Sequence, residues 1–223
     1  MPWRRTRDPY AILVSEVMLQ QTQVERVRSR YLAWLERWPT VETLALASPA
    51  DVIRAWQGLG YNRRGLNLHR AARQIAADGW PNDLTELPGV GAYTAAAIEN
   101  FAFSRDVLPI DTNVRRVQQR TGYAFSPRAA QALMDLGATV CLARIPRCNV
   151  CPLASGCPSR GRRYEPERKQ PRFEGSFRQR RARTLRLVAE GERRLEELDG
   201  AAVDALARDG LVDVENNLVA LPR

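Results

Sequence analysis

The sequence predicts a mainly all-α protein that ends in a small α/β unit, and three observations lead there. Apolar residues recur at helical spacing in one segment after another over roughly the first 160 residues. No convincing run of alternating apolar and polar residues occurs before residue 210. Near the C-terminus, two short apolar runs, Leu211–Val214 and Leu218–Leu221, flank Asn216-Asn217 as two strands flank a hairpin turn. A chain of 223 residues buries one sizeable core with a small second unit beside it, and 44% apolar content belongs to a folded protein.

The first helix starts at Asp8-Pro9, an N-cap aspartate followed by proline at the first helical position. Its spacing carries it to Gln23. Ile12, Leu13, Val14, Val17, Met18 and Leu19 cover most of its circumference, so it is expected to be buried. Glu16 sits inside that apolar run. A carboxyl there either finds a partner or is favoured in its neutral form; the alternative is a solvated stripe shared with Gln20 and Gln23. Amphipathic helices follow over Val27–Trp38, Thr40–Ala47, Pro49–Gln57 and Gly65–Ala77, with Trp34, Trp38, Trp56 and Trp80 read as core. Between the last two, Gly58-Leu59-Gly60-Tyr61-Asn62-Arg63-Arg64 is a loop with glycine freedom and two cations.

The stretch Leu87-Pro88-Gly89-Val90-Gly91 is a glycine-rich turn opening a helix expected over Thr94–Phe101. Amides at the start of that helix face the turn, which makes either an anion site built from backbone or a tight connection between two helices. Asp111 then sits as N-cap of a helix over Val114–Arg120, where backbone amides favour its charged form. Glu16 in apolar surroundings and Asp111 at a helix start are placed for opposite protonation states. Such a contrast divides acid and electrostatic roles within one site.

All four cysteines fall within seventeen residues, as Cys141, Cys148, Cys151 and Cys157 in a C-x6-C-x2-C-x5-C pattern. Nothing signals secretion, so a disulfide framework is not expected. Four thiolates without a nearby histidine suit zinc or an iron–sulfur cluster, and the single C-x2-C pair favours the cluster. The segment Arg160–Arg183 carries ten basic residues against three glutamates, a surplus of +7 within a net charge of +9. It is either a solvated linker or a track for phosphates. Together with the absence of a membrane-length apolar run, the charge directs the reading to a nucleic acid partner and a cytoplasmic protein. Helices over Ser176–Glu190 and Asp199–Asp209, with the terminal hairpin, suggest a small winged-helix-like unit that either contacts DNA through its wing or packs against the core.

These motifs resemble a known family. Leu87 to Gly91 with Asp111 is similar to the helix-hairpin-helix plus Gly/Pro…Asp signature of the endonuclease III superfamily of DNA glycosylases, and the cysteine spacing resembles its [4Fe–4S] loop. Ser15-Glu16-Val17-Met18-Leu19-Gln20-Gln21-Thr22-Gln23, Pro2-Trp3-Arg4, Gly58-Leu59-Gly60-Tyr61 and Met134-Asp135-Leu136-Gly137-Ala138 resemble its adenine DNA glycosylase (MutY) branch. The resemblance covers residues 2 to about 160. It implies a helix-hairpin-helix glycosylase core over 1–160, with a helical barrel at about 11–107. The iron–sulfur half is 1–10 with 108–160, and its cluster loop is 141–157. A basic linker, 161–175, and the unit at 176–223 complete the expected domains.

The resemblance further implies a monofunctional enzyme that hydrolyses the N-glycosidic bond of adenine mispaired with 8-oxoguanine or guanine. Glu16 is the implied general acid at adenine N7, and Asp111 the stabiliser of positive charge on the sugar. Asn113 and Tyr93 support them; Tyr93 stands where strand-cutting relatives carry a Schiff-base lysine. Arg4 and Gln131 are implied adenine contacts, and Gln21 and Thr22 a wedge in the stack, with Gln20, Leu59, Tyr61, Gly89 and Gly91 also at the DNA. A [4Fe–4S] cluster on the four cysteines and a structural cation at the glycine turn are implied cofactors. Double-stranded DNA with a mismatched or oxidised pair is the implied partner, met by a nucleoid-associated monomer. The chain departs from the family in Asn62, where a second aromatic is usual, and in a short stretch before Cys141. It also begins without the usual preceding helix, and residues 176–223 do not resemble the Nudix-like domain of larger members. Two alternatives stay open: a thymine or uracil glycosylase for mismatches with guanine, and a catalytically silent iron–sulfur DNA-binding protein.

Overall fold

A capping aspartate and a proline begin the first helix of the computed structural model, which describes residues 1–165 and 172–223. Pro166, Arg168, Lys169 and Pro171 of the basic segment fall outside the described residues. In chain order the helices are α1 (Pro9–Leu19), α2 (Val24–Arg37), α3 (Val41–Ala45), α4 (Pro49–Trp56), α5 (Arg63–Asp78), α6 (Ala92–Phe101), α7 (Thr112–Thr121), α8 (Ala130–Thr139), α9 (Phe177–Glu190) and α10 (Gly200–Arg208). Strand β1 (Arg193–Arg194) precedes α10, and β2 (Asp213–Glu215) and β3 (Leu218–Ala220) follow it. The chain is mainly helical, as its sequence predicts. Its contacts divide it into two compact units, Met1–Val90 with Pro171–Arg223, and Gly91–Gln170.

In the first unit, Asp8 accepts a hydrogen bond from the Tyr10 amide at 3.0 Å and Pro9 fixes the first turn. Every residue from Tyr10 to Met18 is buried, Glu16 among them. Helix α1 packs on α2 and α5, and α5 packs on α3 and α4. Trp34, Trp38 and Trp56 are buried and meet edge to face, whereas Trp80 is only half-buried. Gly65 is required here: a Cβ would stand 2.8 Å from the Trp56 ring.

The C-terminal residues join this unit through an apolar core. Ile53 of α4 and Leu66 of α5 pack with Leu185 and Val188 of α9, Val203 and Leu206 of α10, and Val219 of β3. The sheet order is β1-β3-β2, antiparallel throughout, with Val214 opposite Val219. Asn216 and Asn217, at φ 49 and 63, make the tight turn that their sequence announces.

In the second unit, α7 and α8 cross where Gly137 meets Asn113; a Cβ at Gly137 would lie 2.6 Å from that of Asn113. Val114, Val117 and Leu133 form the apolar centre.

Several boundaries differ from the sequence reading. Helix α1 stops at Leu19 rather than Gln23, because Gln20 turns to ψ 111 and Gln21 to φ 54. Gln20 and Gln23 therefore share no helical stripe with Glu16. Helix α6 begins at Ala92, two residues earlier than expected. Helix α8 carries no clear sequence signal because its alanines blur the apolar period, and β1 is a strand before residue 210.

Candidate active site

In the first unit the site is built where α1 ends. Glu16 is 7% exposed, three residues before the last turn of the helix gives way to loop. Burying a carboxylate is costly, so an acidic side chain kept here favours the proton-carrying form or a partner. The loop beyond turns outward: Gln21 is exposed and Thr22 half-buried. Thr22 Oγ1 donates toward the Leu59 and Gln20 carbonyls at 3.4 and 3.3 Å, and Gln20 Nε2 reaches the Gly89 carbonyl at 3.3 Å. These contacts bring three predicted segments together: 20–22, 58–61 and the glycine turn. Arg4 is half-buried on the short helical turn Pro2–Arg4.

Two non-glycine residues in these loops occupy left-handed backbone, Gln21 at φ 54 and Tyr61 at φ 46. Such conformations cost on the order of 1–3 kcal/mol each and persist only where surrounding contacts impose them. Tyr61 is 49% exposed, with the Arg64 guanidinium 5.6 Å from its ring centre. Leu59 is not: at 2% exposure its side chain is core, and only its carbonyl takes part in the loop. The Leu59 side chain, expected at the DNA, is thus an internal support of the loop instead. Gly89, at φ +80 with Asn67 Cβ 2.8 Å from where a Cβ would stand, has to be glycine. Gly91 does not; it is extended at φ −93 with open space beside it.

Arg64, grouped in the sequence only as one of two loop cations, is the most connected side chain here. One terminal nitrogen donates to the carbonyls of Val17 at 2.9 Å, Met18 at 3.2 Å and Gln20. The other donates to Thr22 Oγ1 at 2.9 Å and to the Gly60 and Leu59 carbonyls at 3.0 and 3.2 Å. Burial pushes its pKa down to about 10, so it stays charged at neutral pH.

In the second unit, Asp111 caps α7, accepting from the Val114 amide at 2.6 Å. Its other oxygen accepts from Asn113 Nδ2 at 2.8 Å. Asn113 Oδ1 in turn accepts from Arg116 at 2.7 Å, and Arg116 also donates to the carbonyls of Cys141 at 2.7 Å and Gly137 at 2.6 Å. A continuous hydrogen-bonded path therefore runs from the first cysteine to the aspartate. Burial lowers the Arg116 pKa from its ordinary value, with Cys141 opposing that shift. Position 116 is one turn after Asn113 on the same helix face, which is the signal sequence offered for it. Tyr93, in the first turn of α6, and Gln131, in that of α8, are both half-buried.

The four cysteines are unpaired by disulfides and half-buried, and all four line one pocket that opens to solvent. Arg120 holds its rim, donating to the carbonyls of Leu142 at 2.7 Å and Ala143 at 2.6 Å and stacking on Tyr164 at 3.7 Å. The Gly161 amide donates to Cys148 Sγ at 3.3 Å. Among the described residues, no three His, Cys, Asp or Glu side chains are drawn together as the ligands of a metal ion. Arg144 and Arg147 are exposed on the same loop. No helix among the described residues is long and apolar enough to cross a membrane.

Residues 14–136 match the model of the HhH-GPD superfamily of base excision DNA repair proteins. The chain is 41% identical to the adenine DNA glycosylase of Mycolicibacterium smegmatis, over 96% of this chain and 87% of that protein. It is 42% identical to the adenine DNA glycosylase of Mycobacterium tuberculosis, over 86% of this chain and 74% of the relative. The solved structure of a thermostable thymine-DNA glycosylase superposes with a TM-score of 0.64 at 27% identity, covering 71% of this chain and 87% of that one.

Proposed function

The chain belongs to the adenine DNA glycosylase branch of the HhH-GPD superfamily of base excision DNA repair proteins, and we propose that it releases adenine mispaired with 8-oxoguanine or guanine without cutting the strand. The observation that carries this reading is Glu16, an acid 7% exposed on a buried, mostly apolar helix, beside loops that carry Gln21 and Tyr61. The reacting bond is inaccessible in a stacked duplex, so the adenine is extruded. Gln21 and Thr22 enter the gap, Gln20 and the Gly89 turn, with Gly91 beyond it, support the backbone, and Arg4 and Gln131 contact the base.

Glu16 gives its proton to adenine N7, which makes the base a neutral leaving group as the N-glycosidic bond breaks. Both bonding electrons leave with adenine. The sugar becomes oxocarbenium-like, and the Asp111 carboxylate stabilises that charge, oriented by the Val114 amide and Asn113. Water adds at the anomeric carbon and gives up a proton to the Glu16 carboxylate, directly or through solvent, which restores the acid and leaves an abasic site. Tyr93 lacks the amine that a Schiff base requires, so strand scission does not follow.

We assign the four cysteines to a [4Fe–4S] cluster. Support comes from the donor set itself, four thiols around one pocket, with the Arg120 guanidinium donating to Cys141 Sγ and the Gly161 amide to Cys148 Sγ. The cluster would shape the loop that carries Arg144 and Arg147 toward phosphate. A structural cation on the carbonyls of the glycine turn belongs to the same proposal. The purified protein is expected to be brown, and Cys148→Ser to remove its visible absorbance. A colourless, zinc-containing protein with full activity overturns the assignment.

The C-terminal unit is read as support for the core rather than a reader of DNA. Its hairpin strand β2 exposes Asp213 and Glu215, which repel phosphate, while α9 is held by Leu185 and Val188 against α4 and α5. Monomeric action at one lesion, on nucleoid DNA, completes the proposal.

The deciding test is single-turnover base release from duplexes carrying A·8-oxoG, A·G, T·G or U·G, with and without alkali. Adenine release that needs alkali for strand scission is the expected result. Thymine or uracil release would instead support the second reading, which the thymine-DNA glycosylase neighbour and Asn62 favour. Tight binding without release of any base would make the protein a silent binder.

A further inference from the structure

Arg64 occupies the wrong end of its own helix. It lies in the first turn of α5, where no acidic residue is present and the helix dipole disfavours a cation. Helix α1, by contrast, ends without a basic residue in its last turn, and its C-cap Gln20 is extended. The last carbonyls of a helix lack internal partners and attract positive charge. Arg64 reaches across to supply both, donating to the Val17 and Met18 carbonyls. A residue that is unfavourable in its own element yet satisfies another is a sign of selection for the second role.

Its two terminal nitrogens divide their work. One holds the end of α1 and Gln20; the other holds Thr22, Leu59 and Gly60. The two strained residues, Gln21 and Tyr61, each directly follow a carbonyl on this fork, Gln20 and Gly60. The guanidinium also lies over the rings of Trp56 at 5.5 Å and Tyr61 at 5.6 Å. The buried Trp56 ring thus gives it a rigid floor, and its Nε1 donates to the same Gly60 carbonyl at 3.2 Å.

We propose that Arg64 is a positioning residue that locks the Glu16-bearing end of α1 to the loops carrying Gln21, Thr22 and Tyr61, so that base extrusion and proton delivery share one geometry. This rests on the glycosylase reading above. The fork is essential to it. A lysine ammonium is a point charge that reaches one cluster of carbonyls but does not span two. Displacement of a reacting group by about 1 Å costs on the order of 100-fold in rate. Arg64→Lys should therefore fold, keep its melting temperature within a few degrees, and lose about 100-fold in the single-turnover rate constant for adenine release.

Arg64→Ala should show the same loss and regain part of the rate when guanidinium chloride is added at sub-denaturing concentration; the Lys variant should not regain it. A purely structural residue would lower the fraction of active enzyme while leaving the rate constant of that fraction unchanged. That result, a wild-type rate in Arg64→Lys, or failure of both variants to fold would overturn the proposal. Amide hydrogen exchange supplies a readout independent of base release. Exchange at residues 20–22 and 58–61 should quicken in Arg64→Lys while α2 and α3 keep wild-type protection; unchanged exchange in those loops would also overturn it. Wild-type protein run in parallel separates the two readings: if it releases no adenine, the glycosylase reading fails, and the exchange result alone judges Arg64.

Discussion

Glu16→Gln should bind mismatched DNA with nearly wild-type affinity and release adenine about 100- to 10,000-fold more slowly, the usual worth of a positioned general acid. The substitution preserves shape. Glutamine fills the same volume on α1, whose neighbours Leu13, Val17 and Met18 remain buried and keep the helix in place. It removes only the transferable proton, because an amide does not donate one at neutral pH. A Gln variant that matches the wild-type single-turnover rate would sink the acid role. Loss of both binding and release would mean that Glu16 supports the loop rather than the chemistry. The chain contains one histidine, His69, and that residue is 3% exposed with its pKa lowered by burial. It offers no substitute acid.

What the sequence disclosed and what it hid differ by the range of the interaction involved. Helix starts were legible because caps are local: Asp8-Pro9 and Asp111 announce α1 and α7 by themselves. The end of α1 was not, because the group that satisfies its carbonyls, Arg64, belongs to another helix. Gly89 was readable as a glycine that the backbone demands, and it is one. Gly91 looked identical in sequence but takes an extended conformation that any residue adopts. Leu59 is less legible: the resemblance sets it at the DNA, an apolar residue between glycines looks alike whether it points in or out, and packing turns it in. The cysteine pattern was legible by spacing alone, yet the path from Cys141 through Arg116 and Asn113 to Asp111 was not. It depends on α8 and on the absence of a side chain at Gly137, which admits Asn113. The elements of the C-terminal unit are legible in the sequence, and packing against the core is one of the two roles open to it. The partners are not legible: its apolar faces complete a core with Ile53 and Leu66, a match that periodicity within one segment does not encode.

Asp111→Asn is expected to cost about 100- to 1000-fold in the rate of adenine release while leaving the fold intact, the scale of removing one preorganised electrostatic group. The design of this test follows from the two tasks that Asp111 performs. As N-cap it accepts from the Val114 amide, and asparagine caps a helix as well as aspartate does. As a carboxylate it faces Asn113 Nδ2 with its second oxygen, and asparagine keeps one carbonyl oxygen but no charge. The melting temperature should therefore stay close to wild type while catalysis falls. Asp111→Ala removes both tasks and should add a loss of about 1 kcal/mol in stability for the missing cap. If Asp111→Asn instead released adenine at the wild-type rate, charge on this residue would be irrelevant to the oxocarbenium-like sugar, and Asp111 would be a helix cap alone. A slow Asn variant with an unchanged melting temperature assigns the catalytic loss to the charge, since the cap is still made.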